Sequence, residues 1–449
     1  MNENERIKAE KDGLDVLEDI RRYAITGFDS IHPDDFTRMR WFGLYQQKPN
    51  EGHFMLRIKV PSGELDLAQL RAIEHVTREH ARGITDITTR QNFQFHWLTI
   101  DTVPEVLQVL KGVGISTQGA CGDIFRNVTG CPVAGIDPSE VFDARPYAAK
   151  IHELFLDNHD FSNLPRKYKT SIAGCCEHCA QPEINDIGAT GSVRVRPDGT
   201  RAEGFQIRVG GGLSTRPYLA KKLDMWIPAD RLAEVFFAIT TLFRDHGNRD
   251  NRKRARMKFL VDDWGPEKFE LEVRKLIGFD PECAGEWQEP AKHYADHMGV
   301  HLQKQEGLSW IGATVLSGRL NADQIGVVAD VVEEFCGGAI RTTNQQNLIF
   351  PNVPNARVTE AVAMLEAAGL SVHASPFRRA AVACTGNEFC NLALTETKKL
   401  LVEIVSHLER NVPDLDEPLR INLNGCPNSC GQHHVGDRRR AESPVRHVR

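Results

Sequence analysis

The feature that most constrains this 449-residue chain is an internal repeat with an offset of about 250 residues. The TTRQNF segment that begins at Thr88 matches the TTNQQN segment that begins at Thr342, and an apolar run follows each of them. Upstream, PSGEL from Pro61 matches LSGRL from Leu316, and downstream AGCCEHC matches NGCPNSC. Chance similarity would not keep order and spacing across so many segments, so the chain is predicted to be a duplication.

Each copy opens with an apolar strand that ends at a Ser-Gly turn, then an amphipathic helix, then a second strand through the TTRQ or TTNQ segment. The first strands are expected at Phe54 to Val60 and Leu308 to Leu316, and the helices at Leu67 to His80 and Ala322 to Phe335. The pattern predicts a mixed α+β fold, internally duplicated, in which each half begins with a ferredoxin-like half-domain. In a duplicated chain the active site is expected between the copies, where matching strand ends face each other.

The repeat also predicts the domain organisation. A helical extension (1–39) precedes the first half-domain (40–120) and its following domain (121–280), and the second half-domain (295–375) precedes a final cysteine-rich domain (376–449). Matching letters persist as far as Asp437, the counterpart of Asp186. The tail beyond Asp437 resembles nothing in the first copy, which favours a truncated or frame-shifted C-terminal copy over a relative with a naturally short end.

Composition excludes several classes of protein. The net charge of −6 gives no sign of a nucleic-acid partner. The polar, helix-like N-terminus has no apolar segment typical of a signal peptide, and no stretch approaches the length of a membrane span, so a cytoplasmic location is expected. In that reducing compartment, the 11 cysteines indicate metal ligation or catalysis rather than disulfides.

A run of basic residues has three interpretations. It comprises Arg249, Arg252, Lys253, Arg254, Arg256 and Lys258. Such a run is usually a solvated helix face. A docking patch for an acidic partner and a grip on an anionic cofactor are the functional alternatives.

Two pairs of cysteines, Cys384 with Cys390 and Cys426 with Cys430, predict a [4Fe–4S] cluster, which usually takes four thiolates. A helix expected from Phe389 to Leu408 would place Cys390 near its N-terminus, where a thiolate is stabilised. The second pair lies in the turn-rich loop NGCPNSC. Buried cysteines that pack as small hydrophobes, or a zinc site, are the alternatives, although zinc prefers a closer spacing than that of the first pair.

The cysteines of the first copy do not predict a second cluster. Cys175, Cys176 and Cys179 lack a convincing partner pair, because Cys121 and Cys131 are separated by nine residues, unlike Cys384 and Cys390.

Six ordered motifs resemble those of the sirohaem-dependent nitrite and sulfite reductases, in their ferredoxin-type form. The resemblance extends from about Arg40 to Asp437. The motifs are GLYQQKPNEGHFMLR (43–57), TTRQNFQFH (88–96), GDIFRNVTGCP (122–132), LPRKYKTSIAGC (164–175), ACTGNEFC (383–390) and NGCPNSC (424–430). The resemblance implies that 121–280 and 376–449 bind sirohaem and the iron–sulfur cluster, which share the sulfur of Cys430.

The resemblance also implies the cofactor contacts. Thr88, Arg90 and Gln94 match the sirohaem-contacting strand of the family, and on a strand residues i, i+2 and i+6 project to one face. Their second-copy equivalents are Gln346 and Asn347, and the weaker correspondences are Lys258 and Asn428. Sirohaem carries eight carboxylates, which arginine, lysine and amide donors are suited to meet.

The remaining implications concern the reaction, the reduction of sulfite to sulfide or nitrite to ammonia by six electrons. Arg57, Arg126, Lys167 and Lys169 match the anion-binding group of the family; arginine is expected to position the anion and lysine to donate protons. Lys169 slightly favours sulfite. Because no nucleotide-binding GxGxxG motif follows a strand, the donor is expected to be a separate protein, ferredoxin, that meets a monomeric enzyme.

Three alternatives remain open: a nitrite-specific assimilatory reductase, a truncated cluster-binding paralogue without catalysis, and a zinc-stabilised binding module.

Overall fold

The computed structural model describes residues 2–47, 49–287, 289, 296–417 and 419–436. Asp437 and the unfamiliar tail lie outside the described residues. The helices are α1 (Glu3–Glu10), α2 (Leu17–Thr26), α3 (Asp35–Arg38), α4 (Leu67–Glu79), α5 (Val103–Gly112), α6 (Arg145–Phe155), α7 (Leu232–His246), α8 (Met257–Trp264), α9 (Pro266–Leu276), α10 (Ala322–Phe335), α11 (Val358–Ala367), α12 (Pro376–Arg379) and α13 (Lys398–Asn411). Among the described residues, no helix combines the length and the apolar character needed to cross a membrane.

The strands form three five-stranded sheets and one two-stranded sheet. They are β1 (Leu44–Gln46), β2 (His53–Arg57), β3 (Glu64–Asp66), β4 (Ile84–Ile87), β5 (Phe93–Thr99), β6 (Phe125–Gly130), β7 (Tyr168–Ala173), β8 (Ile187–Val195), β9 (Arg201–Val209), β10 (Lys221–Pro228), β11 (Gly299–Leu302), β12 (Leu308–Ala313), β13 (Arg319–Asn321), β14 (Ala339–Thr342), β15 (Leu348–Pro354), β16 (Ala381–Ala383) and β17 (Ile421–Leu423).

Helices α4 and α10 begin alike because each opens with a capping box. The side chain of Asp66 accepts the backbone N–H of Gln69, and the Gln69 side chain accepts the N–H of Asp66. Asn321 and Gln324 repeat the arrangement in the second copy. Each box satisfies two backbone donors that the first turn leaves unpaired. Helix α10 has the predicted bounds, and α4 ends one residue before the predicted end.

The two copies exchange strands. The first sheet has the order β1-β2-β5-β4-β13, and its last strand comes from the second copy. The equivalent sheet has the order β11-β12-β15-β14-β3, and its last strand comes from the first copy. Arg319 lies opposite Asp86 in one exchange, and Glu64 lies opposite Arg341 in the other. The two ferredoxin-like half-domains therefore share one apolar core, to which residues from Val16 to Val372 contribute.

The TTRQ and TTNQ segments are hairpin loops, so the prediction that a strand runs through them was wrong. Strand β4 ends at Ile87, and β5 begins only at Phe93. The reason is that the Thr88 hydroxyl accepts the backbone N–H groups of Arg90 and Asn92, which diverts them from a strand ladder. The same holds in the second copy, where Asn347 donates its backbone N–H to the Thr343 hydroxyl.

A glutamine in each loop connects the two copies. Gln91 donates from Nε2 to the Thr342 carbonyl at 2.9 Å, and Gln346 donates to the Ile87 carbonyl at 2.8 Å. Gln346 Oε1 also accepts the N–H of Ala383, at 3.0 Å, and so ties the loop to β16. Both glutamines have a positive φ, 61° and 65°, which turns their side chains across the seam between the copies.

A third sheet, β10-β9-β8-β7-β6, lies outside the exchanged pair. Its strands β6, β7 and β8 are parallel and the remaining pairings are antiparallel. The parallel part is covered by apolar residues of α6 and α7, as parallel sheets require. The small parallel pair β16–β17 is the second-copy counterpart of β6–β7. In both copies the strands end where cysteines follow.

We predict that Gln346→Ala destabilises the folded protein by about 2–4 kcal/mol, because it leaves the Ile87 carbonyl and the Ala383 N–H buried without partners. The neighbouring Gln345→Ala is the matched control, because Gln345 is only half-buried and no hydrogen bond of its side chain is found in the described structure. Urea unfolding of both variants at equal cofactor content measures the difference. Equal stabilities would contradict a connecting role for Gln346.

Candidate active site

The cysteines of the second copy follow the ends of two paired strands. Cys384 comes directly after β16, and Cys426 comes three residues after the end of β17. Cys384 continues the pairing, because its N–H donates to the Leu423 carbonyl at 3.1 Å. The N–H of Gly425 donates to Cys384 Sγ at 3.2 Å, a bond that stabilises a thiolate. Parallel pairing therefore brings two cysteines that are distant in sequence to the same sheet end.

The other two cysteines face the same region. The charges of Cys426 and Cys430 act on Cys390, and that of Cys430 also acts on Cys384. Burial raises the pKa of the Cys384 and Cys390 thiols, and the neighbouring Cys430 adds to the effect. Thiols that act on one another electrostatically, on loops with backbone donors, fit a [4Fe–4S] cluster.

Cys390 does not lie at a helix N-terminus, so that prediction was wrong. It belongs to a loop, and helix α13 begins only at Lys398. Gly386 takes a φ of 70°, and the Glu396 carboxylate accepts the N–H groups of Lys399 and Leu400. This carboxylate caps the helix and fixes its start after the cysteine loop.

Two of the four predicted anion-binding residues are arginines. Arg57, at the end of β2, donates to Gln94 Oε1 at 2.7 Å and to Cys121 Sγ at 3.2 Å. Arg126 on β6 donates to the carbonyls of Ala120 and Gly122, at 2.9 and 2.6 Å. Both guanidinium groups are held in place by neutral partners and keep their positive charge available.

Lys167 and Lys169 flank Tyr168 at the start of β7, with one residue between them as predicted. Burial lowers the pKa of Lys167 to about 8, assisted by Arg256, and lowers the pKa of Lys169 well below its ordinary value, assisted by Arg90. The charge of Cys430 opposes both shifts and also acts on Arg57. Three of the four predicted residues thus come within electrostatic range of Cys430.

A cavity at the seam between the copies contains Arg90 and Lys169. Its lining is Thr89, Arg90, Thr129, Lys169, Ala180, Gln181, Ile184, Asn185, Asn344 and Gln432. Arg90 donates to Asn185 Oδ1 at 2.7 Å and to the Asn127 carbonyl at 2.6 Å, while its Nε is buried without a partner. Burial, helped by Arg126, lowers the pKa of Arg90 to about 9.

Other predicted cofactor contacts have their polar groups engaged within the protein. Thr88 stabilises its own loop, and Gln94 joins Arg57 to Thr385 beside Cys384. Gln346 binds across the seam, and Asn347 accepts from Val315 and donates to Arg379. Lys258 donates to the Leu213 carbonyl at 2.9 Å, and Asn428 lies 3.5 Å from the Ser214 hydroxyl. As sirohaem contacts these residues remain predictions.

The residues around the cavity fit a polyanionic group such as sirohaem. Arg90, Arg126, Lys167, Lys169 and Arg256 act on one another electrostatically, and Asp186, which pairs with Arg256 at 2.9 Å, is a carboxylate that acts on Arg90. Of the lining residues, Arg90 Nε and Asn344 Oδ1 are buried without protein partners, and so is Ser429 Oγ, three residues before the lining residue Gln432. Half-buried cations gathered in this way repel one another, and carboxylates of a bound group would reduce that cost.

The sequence reasoning missed Gln181 and Gln432. Their side-chain amides exchange two hydrogen bonds, of 2.8 and 2.7 Å, across the seam. Each glutamine lies two residues after the last cysteine of a C-x3-C segment, so the repeat itself contained the signal. Both have a positive φ, 55° and 62°, which brings them face to face.

Asp86, a buried charged residue that was also missed, supports the loop that contains Cys390. Asp86 lies 2.9 Å from Arg319 Nε, 3.5 Å from Lys398 Nζ and 3.1 Å from His96 Nε2. Burial raises the pKa of Asp86, but Lys398, His96 and Arg319 outweigh it and hold that pKa well below its usual range. The His96 ring stacks on Phe389, next to Cys390, with centroids 3.8 Å apart. The ionised Asp86 carboxylate therefore holds His96, which stacks against the loop that contains Cys390, and Lys398, which begins the helix after that loop.

The basic run does not form a solvated face. Arg249 pairs with Glu5, Arg252 with Asp123, Arg254 with Asp263 and Arg256 with Asp186, at 2.6 to 2.9 Å. Lys258 is buried against backbone carbonyls, which leaves Lys253 as the exposed member of the run. Most of these basic residues therefore form ion pairs within the protein and are not presented to a partner.

Three first-copy cysteines converge, although no convincing partner pair was expected for Cys175 and Cys179. Cys131 joins Cys175 and Cys179, and the three sulfur atoms lie within 4.8 Å of one another. The comparison with Cys121 misled the sequence argument, because Cys131 follows β6 just as Cys384 follows β16.

Comparisons with known proteins agree with this geometry. Residues 121–279 match the nitrite and sulphite reductase 4Fe-4S domain, and residues 45–113 and 301–368 match the nitrite/sulfite reductase ferredoxin-like half domain. An assimilatory ferredoxin-dependent nitrite reductase of Haloferax mediterranei is 38% identical, over 97% of this chain and 79% of its own length. A sulfite reductase [ferredoxin] of Mycobacterium tuberculosis is also 38% identical, over 97% of this chain and 81% of its own.

A solved structure shares the whole architecture. The Mycobacterium tuberculosis NirA protein superimposes with a TM-score of 0.90 at 38% identity, over 96% of this chain and 82% of its own. Identity at this level over nearly the entire chain, with matching family domains in both copies, leads to one conclusion: the chain belongs to the nitrite and sulfite reductase family.

Proposed function

We propose that the protein reduces a small oxyanion, sulfite or nitrite, by six electrons at a sirohaem coupled to a [4Fe–4S] cluster. The observation that carries the proposal is that Arg57, Lys167 and Lys169 all lie within electrostatic range of Cys430, the last cysteine of the cluster set. A positively charged pocket beside a redox centre suits an anionic substrate that must gain electrons and protons.

In this proposal the arginines and the lysines of the site have different roles. When bound, sirohaem supplies an iron that takes the oxyanion and, with the cluster, the electrons. Arg57 and Arg126, fixed by their neutral partners, position the anion and do not release protons readily. Lys167 and Lys169 are the proton donors, because burial lowers their pKa values and makes proton release easier at neutral pH.

Cys384, Cys390, Cys426 and Cys430 hold the cluster in this proposal. Arg90, with its unpaired Nε, Asn344 and Ser429 meet the sirohaem carboxylates and edge. The donor is ferredoxin, as the names of the relatives state for those proteins, and a cytoplasmic location goes with such a donor. Because the basic run is largely paired internally, docking of an acidic donor has to use another face.

The proposal is tested by loading and turnover. We expect purified protein to show the tetrapyrrole bands with a cluster shoulder and to reduce sulfite or nitrite with reduced ferredoxin. Cys426→Ser should lower cluster iron and reduce activity at least 100-fold, because a cubane iron loses its thiolate. Cys283→Ser is the control, because Cys283 is exposed and distant in sequence from the motifs. Brown protein without tetrapyrrole bands would favour a non-catalytic cluster protein, and colourless protein would exclude both.

Sulfite is the favoured substrate, on the basis of Lys169. Sulfite approaches a dianion near neutral pH whereas nitrite is a monoanion, so a second lysine beside Lys167 favours sulfite electrostatically. We predict that Lys169→Asn lowers the ratio of kcat/KM for sulfite to that for nitrite about tenfold, equivalent to about 1.4 kcal/mol. Lys253→Asn, a change at an exposed lysine, is the control. An unchanged ratio in Lys169→Asn would remove this residue as the discriminator.

A further inference from the structure

The first copy repeats the scaffold that holds the cluster cysteines. Strands β6 and β7 are parallel, as are β16 and β17. Cys131 comes directly after β6, and Cys175 and Cys179 form the C-x3-C segment after β7. The fourth cysteine is missing, because the residue six positions after Cys131 is Asp137, whereas six positions after Cys384 stands Cys390. Three thiols have thus been kept at a site that lacks the complement of a cubane.

The spacing of the three sulfurs distinguishes the two sites. In the first copy all three lie within 4.8 Å of one another. A tetrahedral zinc with bonds of about 2.3 Å places its sulfur ligands about 3.8 Å apart. A cubane attaches each thiolate to a different iron and needs them further apart. Within the described residues, no three cysteines of the second copy have sulfur atoms within 4.8 Å of one another, although they follow the equivalent pair of parallel strands.

His297 is the candidate for the fourth ligand; its ring nitrogens lie outside the 4.8 Å group of the three sulfurs and would approach them on metal binding. Its Nε2 is buried without a hydrogen-bond partner, and the residue is 9% exposed. The Cys175 charge acts on this imidazole, as does that of Asp137, so the ring lies within electrostatic range of the cysteine group. His297 takes a φ of 60°, a strained backbone that is found where a side chain must be aimed. Arg379 holds the preceding Asp296 at 2.6 Å and donates to the Met298 carbonyl at 3.1 Å, which fixes the segment on both sides.

We propose that Cys131, Cys175, Cys179 and His297 bind one structural zinc ion. Three thiolates and one imidazole are a regular ligand set for structural zinc. Binding releases the protons of the three thiols and involves no change of oxidation state. A disulfide between two of the cysteines would need an oxidant and would leave the third sulfur unused.

The ion would stabilise the floor of the cavity at the seam. Asn344 donates to the Cys179 carbonyl at 3.1 Å, and Thr89 donates to the Cys430 carbonyl at 3.1 Å, so each loop of one copy rests on the C-x3-C segment of the other. Ala180 and Gln181, which follow Cys179, line the cavity. In the second copy the cluster would hold the C-x3-C segment that ends at Cys430. Zinc would hold the equivalent segment that ends at Cys179, without redox activity.

The experiment measures zinc in the cofactor-loaded enzyme by elemental analysis after removal of loosely held metal. We expect one zinc per chain, and a loss of at least 80% of it in Cys131→Ser, Cys175→Ser and Cys179→Ser. Cys176→Ser is the matched control, because Cys176 adjoins Cys175 but does not belong to the converging group. His297→Ala should lose zinc, whereas His178→Ala should keep it. His178 Nε2 is also buried without a partner while its Nδ1 pairs with Glu183, so the two variants decide between the two candidate imidazoles.

Zinc X-ray absorption on the unmodified enzyme avoids any folding defect of the variants. We expect three sulfur ligands at about 2.3 Å and one nitrogen at about 2.0 Å. Enzyme without zinc, or zinc kept by Cys131→Ser and Cys175→Ser, would overturn the proposal. Loss of iron in place of zinc from the first-copy variants would assign these cysteines to a cluster instead, which also overturns it. Retention of zinc by His297→Ala with loss by His178→Ala would overturn the assignment of the fourth ligand.

Discussion

The reciprocal exchange of β3 and β13 is the constraint on which the rest of the structure depends. Each ferredoxin-like half-domain is completed by three residues of the other copy, and the two share one core. The exchange brings the hairpin loops together so that Gln91 and Gln346 bond across the seam. Strand ends, loops and both C-x3-C segments therefore meet at one place. A site built there needs both copies, and neither copy alone has its full lining.

The electrostatics of the seam show why a cofactor belongs there. Arg90, Lys167 and Lys169 are half-buried, and the loss of solvent around them lowers the pKa of each. A protein that had to be stable without ligands would pair such groups with its own carboxylates, as it does with Arg252 and Asp123. At the cavity it does so with Asp186 and Arg256. The remaining positive charge costs stability, and a ligand with several carboxylates turns that cost into affinity and selectivity.

How far the sequence could predict the structure depended on whether the signal was local. Helix α10 was predicted with its observed bounds, because an apolar period and a capping box both lie within it. The loop at Thr88 was mistaken for a strand, because a hydroxyl that captures two N–H groups leaves no mark in the hydrophobic pattern. The exchange itself could not be predicted, since strands of three residues have no period to detect.

In the candidate site, too, the features with a local sequence signal could be predicted and those set by tertiary structure could not. The pairs Cys384 with Cys390 and Cys426 with Cys430 were visible as spacings, whereas the approach of Cys131 to Cys175 depends on the register of β6 against β7. That register is set by tertiary structure and cannot be seen in the sequence.

The charges that face one another in the exchanged strands also depend on tertiary structure. Their signs, however, can be read from the sequence, and they explain why the exchanged strand pairing is more stable than the self-paired one. Asp86 faces Arg319, at 2.9 Å, and Arg341 faces Glu64, at 3.4 Å, so the two symmetry-related ion pairs have opposite polarity. If each short strand paired within its own copy, Glu64 would face Asp86 and Arg319 would face Arg341. Like charges directly opposite one another destabilise a strand pair, and the inversion of polarity between the copies therefore selects the exchanged arrangement over the self-paired one.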